Sequence, residues 1–180
     1  MFRPNIGLDV DGVIYPWHNI VRTYYKMYHN YNGSDAYFMD YFNKALSVEE
    51  QKYIVSLPHL YDKAILSPST KLIIDRLSEI GDLYYITARP ESAIDVTHRF
   101  FEKSKLPFKE NLVFSRNKAV QMRLNSISFY VDDNQSTIRE LQDITTAFWF
   151  KVTWWEDKND LPTVASLAEF LEIIERTLND

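Results

Sequence analysis

Cysteine is absent from the 180-residue chain, which excludes disulfides, thiolate catalysis and thiolate-held metals. No stretch approaches transmembrane length, and Met1-Phe2-Arg3-Pro4-Asn5 carries no apolar secretory run. A cytoplasmic protein with no membrane partner is therefore expected. Low-complexity tracts and internal repeats are also lacking. His18, His29, His59 and His98 show no metal-ligand spacing; His18, beside Trp17, could touch a substrate but reads rather as a surface histidine. An excess of basic residues is missing too. The formal net charge of −5 disfavours a broad grip on a nucleic-acid polymer. A small phosphorylated ligand remains compatible, because one local cationic site suffices for it.

What is present is an ordinary globular composition, 46% hydrophobic and 25% charged, enough for one domain with a sizeable core. Aromatics reach 15%, which implies either heavy core packing or an aromatic-lined pocket. Short apolar runs at 5–9, 83–86, 111–114, 127–131 and 145–150 have the near-continuous character of strands buried on both faces. Helical periods lie between them at 69–80, 91–104, 134–142 and 165–178, with Gly81 as a C-terminal stop for the first. Strand and helix alternate from residue 66 onward, which predicts an α/β fold with a doubly wound parallel sheet.

Residues 16–65 break that rhythm. Trp17, Ile20, Val21, Tyr24, Tyr28 and Tyr31 follow a helical period, and Phe38, Tyr41, Phe42 and Ala45 form a second set. Ser47 and Glu50 have the spacing of a capping box that opens a third helix. The expected organisation is a catalytic core of 1–15 and 66–180 with a helical cap, 16–65, inserted after the first strand. Such an insertion would lie over the C-terminal ends of the strands, where open α/β sheets bind ligands. Aromatics on the cap leave a homodimer open, and Trp154-Trp155 could pack on the sheet edge or face a partner.

Four polar features follow expected strands. They are Asp9/Asp11 before Gly12, Thr87, Lys118 and Asp132-Asp133. Two carboxylates buried side by side are costly unless a cation or proton resolves their repulsion. The chemistry such a set offers is phosphoryl transfer. One Asp attacks phosphorus, and carboxylates hold Mg²⁺. A hydroxyl and an ammonium bind phosphoryl oxygens, and a second carboxylic acid protonates the leaving alcohol.

Taken singly, each feature has a bland use. Asp-x-Asp-Gly occurs in turns and calcium loops, Thr87 suits a strand end, Lys118 suits a solvated surface, and Asp132-Asp133 suits a helix N-cap. Arg89 could pair with Glu91 or Asp95, Arg116 could be structural, and Trp17 and Tyr61 could be core.

Together, Leu8-Asp9-Val10-Asp11-Gly12-Val13, Ile86-Thr87-Ala88-Arg89, Lys118 and Val131-Asp132-Asp133 resemble the four motifs of the haloacid dehalogenase superfamily of phosphatases, over nearly the whole chain. The resemblance implies Asp9 as nucleophile and Asp11 as general acid/base. It implies Thr87, Ala88 and Lys118 at the phosphate. It also implies Mg²⁺ held by Asp9, the Asp11 carbonyl and the Asp132-Asp133 pair, with Asp133 the direct ligand and Asp132 its support. Asn111-Leu112-Val113-Phe114-Ser115-Arg116-Asn117-Lys118-Ala119-Val120 resembles the third motif of the 5′(3′)-deoxyribonucleotidases, which carry a small cap at the same place. That narrower resemblance implies Trp17, Tyr61 and Arg116 as substrate contacts and a (deoxy)nucleoside monophosphate as substrate. The mammalian enzymes follow the motif threonine with a serine, a proline and a lysine further on. Here the run is Thr87-Ala88-Arg89-Pro90-Glu91, so Arg89 would supply the cation and base and sugar preference stay open. A phosphatase for another small metabolite, such as a sugar phosphate, and a non-catalytic phosphate-binding module are the alternatives.

Overall fold

The computed structural model describes residues 3–28, 46–151 and 160–179. The expected helical set at Phe38–Ala45, Tyr31 and the Trp154-Trp155 pair lie outside them. Among the described residues, six parallel strands form one sheet in the order β3-β2-β1-β4-β5-β6. They are β1 (Asn5–Asp9), β2 (Asp82–Thr87), β3 (Leu112–Phe114), β4 (Ile127–Asp132), β5 (Thr146–Phe150) and β6 (Thr163–Val164). The first five match the apolar runs within a residue or two. The two-residue β6 was not expected, because so short a strand has no periodicity to read.

Helices α1 (Trp17–Tyr28) and α2 (Val48–Val55) come before β2, followed by α3 (Pro68–Ile80). Beyond β2 lie α4 (Ile94–Lys103), α5 (Lys118–Leu124), α6 (Gln135–Leu141) and α7 (Leu167–Asn179). Helix α2 opens with the expected capping box: Ser47 Oγ accepts from Glu50 N, and Glu50 accepts from Ser47 N at 2.8 Å. Helix α3 ends at Gly81 as expected, but Gly81 is extended (φ −151°) rather than left-handed. The first turn of the segment expected as a helix over 91–104 is 3₁₀, at Glu91–Ala93. Asn134, not Asp132 or Asp133, caps α6, its side chain accepting from Ser136 N and Thr137 N. Helix α5 was not expected; its seven residues hold only two buried side chains, Ala119 and Met122.

The helices cover both faces of the sheet. On one face Leu8, Tyr85 and Val131 meet Ile74, Phe101, Phe170 and Ile174. On the other, Ile86, Tyr130 and Trp149 meet Met122, Ile138 and Leu141. Each such side chain contributes about 1.5–3 kcal/mol on burial. Gly7 makes room for Tyr130, whose ring would lie 2.6 Å from a Cβ there. A third cluster, Val21, Tyr25, Ile54 and Leu60, packs α1 onto α2. No described helix is long and apolar enough to cross a membrane.

The register aligns the strand ends. Asp9 pairs with Ile86 across β1/β2, and Leu8 with Val131 across β1/β4. The chain winds outward from β1 through β2 to β3 and returns to β4 on the other side of β1. The crevice at this reversal lies beyond the carboxyl ends of β1 and β4.

Candidate active site

Asp9 closes β1 and is 4% exposed. Its Oδ1 accepts from Lys118 Nζ at 2.5 Å. Burial pushes the Asp9 carboxyl well above the usual carboxylate range; Lys118 opposes that shift, and Asp132, Asp133 and Asp11 add to it. Lys118, the first residue of α5, also donates to Asp132 Oδ2 at 2.6 Å. Burial alone would depress the Lys118 ammonium, but Asp9, Tyr130 and Asp132 outweigh it and hold the pKa well above its ordinary value.

Asp132 is wholly buried, with three donors on its two oxygens. Its Oδ2 also accepts from Tyr130 OH at 2.9 Å, and its Oδ1 from Asn134 N at 2.8 Å. Asp133 faces His18 Nε2 at 2.5 Å, and its carbonyl accepts from Trp149 Nε1 at 3.0 Å. Burial raises the Asp133 carboxyl, with the His18 hydrogen bond pulling the other way.

The loop after β1 is tied by Gly12 N to Tyr15 O and by Ile14 N and Tyr15 N to Val10 O. Gly12 has φ +90°, and a Cβ there would lie 2.0 Å from Asp133 Oδ2. Only glycine combines that conformation with so close an approach.

Asp9, Asp132 and Asp133 each offer a carboxylate oxygen, all within 4.8 Å of one another. Hard oxygen donors around one point fit a hard divalent cation such as Mg²⁺. Asp132 already has three donors on its two oxygens, so Asp9 and Asp133 carry more of the remaining ligand capacity. The residues present fit the ion.

A cavity of about 630 Å³ opens over this cluster. Asp9, Asp11, Lys118, Asp132 and Asp133 line it, as do Trp17, His18, Ala88, Arg116, Asn134–Thr137 and Arg139. Eight of the eleven expected site residues thus share one cavity. Three do not. Thr87 is fully buried behind Asp11, with its Oγ1 3.4 Å from Asp11 Oδ2. Arg89 turns away from the cavity to Asp11, rather than to Glu91, Asp95 or the phosphate position. Its Nε lies 3.1 and 2.9 Å from the two Asp11 oxygens, and the terminal nitrogen Nη2 lies 2.7 Å from Oδ1. Tyr61 is 2% exposed; it stacks on Trp17 at 4.7 Å and donates to Val55 O. Burial beside Asp11 raises the Tyr61 phenol far above its ordinary value.

His18 is not a free surface residue as expected, because α1 carries it down onto Asp133. Its place directly after Trp17 was the available signal. Tyr130, within a strand, and Arg139, on α6, gave none.

No protein-family model matches the chain. It is 24% identical over 149 residues to a Clostridium acetobutylicum protein named as a nucleotidase, covering 78% of this chain and 76% of that one. A Bacillus subtilis protein, provisionally named as a nucleotidase, is 25% identical over 135 residues, 72% and 69% of the two chains. A haloacid dehalogenase-like hydrolase from Streptococcus pneumoniae superposes with a TM-score of 0.66 at 15% identity, over 96% of this chain and 98% of that chain. An L-2-haloacid dehalogenase from Xanthobacter autotrophicus gives 0.61 at 7% identity, over 97% and 99%. A phosphatase of the same superfamily from Thermococcus onnurineus gives 0.55 at 14% identity, over 95% and 97%. The chain therefore has the fold of the haloacid dehalogenase-like hydrolases.

Proposed function

We propose that this chain is a Mg²⁺-dependent phosphomonoesterase that dephosphorylates (deoxy)nucleoside monophosphates through an aspartyl-phosphate. The observation that carries the reading is the Lys118 ammonium held between Asp9 and Asp132 beneath a cavity of about 630 Å³. An Asp9 oxygen bonds to phosphorus as the ester P–O bond breaks, and the leaving oxygen takes a proton from Asp11. Water then attacks the aspartyl-phosphate, its proton passing to Asp11, and phosphate and free Asp9 are regenerated. Lys118 balances charge on the phosphoryl oxygens; Ala88, in the cavity wall, and the Thr87 hydroxyl, buried beside Asp11, would complete that cradle. Mg²⁺ held by Asp9, Asp133 and the Asp11 carbonyl, with Asp132 in support, would supply neutralisation of the nucleophile and the phosphate.

Residues 16–65 serve as the cap in this reading. Trp17 offers a stacking face for a base, and Arg116 a cation at the mouth. The nucleotidase names of the two bacterial relatives support the substrate class. One observation favours a second reading, a sugar phosphate: Trp17 and Ala88 are the apolar members of an otherwise polar lining, which includes Asn134–Thr137.

A panel of nucleoside 5′- and 3′-monophosphates and sugar phosphates, assayed at fixed Mg²⁺ and again with EDTA, tests the proposal. Hydrolysis fastest on nucleoside monophosphates and abolished by EDTA is expected. Preference for sugar phosphates moves the assignment to the second reading. Binding of phosphate esters without hydrolysis replaces the enzyme by a phosphate-binding module.

A further inference from the structure

Arg89 is a buried cation that the reaction scheme above does not use. Its side chain is 1% exposed. The guanidinium lies 4.4 Å from the Tyr15 ring centroid and 4.6 Å from that of Tyr61, and Nη1 donates to Thr97 Oγ1 at 2.9 Å. Thr97 Oγ1 in turn donates to Ala93 O. Tyr15 is fixed by its hydroxyl to Leu60 O at 2.6 Å. The fork is therefore flanked by two rings, and its Nε and Nη2 each donate to Asp11. A guanidinium locked this way cannot reach a phosphate in the cavity without abandoning every partner it has.

Both Asp11 oxygens are held by Arg89. Oδ1 takes the 2.7 Å bond from Nη2 and a 3.1 Å contact from Nε. Oδ2 has the 2.9 Å contact from that same Nε and the long 3.4 Å approach of Thr87. Asp11 lines the cavity and its side chain is 23% exposed. Arg89 thus grips the carboxyl through both oxygens, Nη2 on Oδ1 and Nε on Oδ2, which fixes the plane in which the group meets the cavity.

We propose that Arg89 is a positioning residue that fixes the Asp11 carboxyl by a two-oxygen grip, so that the group is aimed at the leaving-group oxygen of a bound phosphate ester. Tyr61 connects this anchor to the substrate wall, since its ring contacts both Arg89 and Trp17. The inference deepens the phosphatase reading and rests on it. An aryloxide such as p-nitrophenolate departs without a proton, whereas an alkoxide needs one. Losing the aim of Asp11 therefore penalises alkyl esters selectively, by part of the roughly 10²–10⁴-fold that a positioned acid supplies.

The test compares p-nitrophenyl phosphate with an alkyl phosphate, both with Mg²⁺, in wild type, Arg89→Ala and Arg89→Lys. The expected result in Arg89→Ala is a fall in kcat/KM, which reports the leaving-group step and not the shared hydrolysis of the aspartyl-phosphate, at least about tenfold greater for the alkyl ester than for the aryl ester. Free guanidinium ion restores alkyl turnover in that variant. Arg89→Lys shows the same split, because an ammonium lacks the fork, and it decides the matter alone if Arg89→Ala does not fold. Equal losses on both esters overturn the positioning role and make Arg89 a structural or phosphate-binding group. Wild-type protein that hydrolyses neither ester overturns the phosphatase reading and this inference with it.

Discussion

The Lys118 ammonium lies 2.5 Å from an Asp9 carboxylate oxygen, although 109 residues separate the two in the chain. A second carboxylate, Asp132, sits 2.6 Å from the same nitrogen. The pairing tolerates two buried acids at the carboxyl ends of adjacent strands, because one buried cation compensates both.

Removing that cation has a defined consequence. Lys118→Met leaves Asp9 and Asp132 buried without their ammonium, at a cost of about 3–5 kcal/mol. At about 2–4 °C per kcal/mol for a chain of this size, thermal denaturation should show a large drop in Tm. Phosphatase turnover should vanish with it. An unchanged Tm would show that the pair contributes nothing to the fold.

Asp9→Asn keeps the shape and one hydrogen-bonding oxygen while removing the nucleophile. Turnover should fall by more than about a thousandfold. The Tm should hold or rise, because three neighbouring carboxylates no longer face a fourth charge. Steady-state kinetics and calorimetry on the same preparation check both halves; wild-type turnover would exclude Asp9 as nucleophile.

Gly12→Ala introduces a methyl group 2.0 Å from Asp133 Oδ2, at a residue with φ +90°. Asp133 must shift, and the loop must accept about 1–3 kcal/mol of backbone strain. Titration calorimetry should show Mg²⁺ binding at least about tenfold weaker, with most of the fold retained by circular dichroism. Unaltered Mg²⁺ affinity would remove Asp133 from the metal site.

Alkaline titration reports on the ring beneath Arg89. Burial pushes the Tyr15 phenol from 10.0 up to about 12. The folded state therefore keeps a proton that the unfolded state loses from pH 10 upward. The resulting stability is fully present below pH 10 and is lost as pH rises through about 12. Denaturant midpoints measured from pH 9 to pH 12 should fall, and Tyr15→Phe should flatten part of that slope. An identical slope in the variant would mean that Tyr15 ionises freely in the native state.

Local pattern carried most of the fold. Doubly buried strands read as apolar runs, and helices as 3.6-residue periods between them, so β1 to β5 and α3, α4, α6 and α7 were legible. Ser47 and Glu50 announced their helix by side-chain chemistry confined to four residues. The two-residue β6 was not legible, since it spans no period, and α5 was not, because exposed Val120 and Leu124 blur the spacing of its buried Ala119 and Met122.

The candidate site divides in the same way. Residue types and their order marked Asp9, Asp11, Lys118, Asp132 and Asp133, because carboxylates and an amine at the mouths of apolar strands have few bland uses as a set. Which partner each would take was a tertiary decision. Arg89 could have met Glu91 or Asp95 nearby, yet β1 and β2 lie side by side and place Asp11 against it, between Tyr15 and Tyr61. His18 looked solvent-facing until α1 brought it to Asp133, and Tyr61 looked like a cavity aromatic until Trp17 covered it. Sequence determines which groups the chain can bring to a strand end; through-space packing, which alone sets distances between residues about eighty to a hundred positions apart, decides which of them touch.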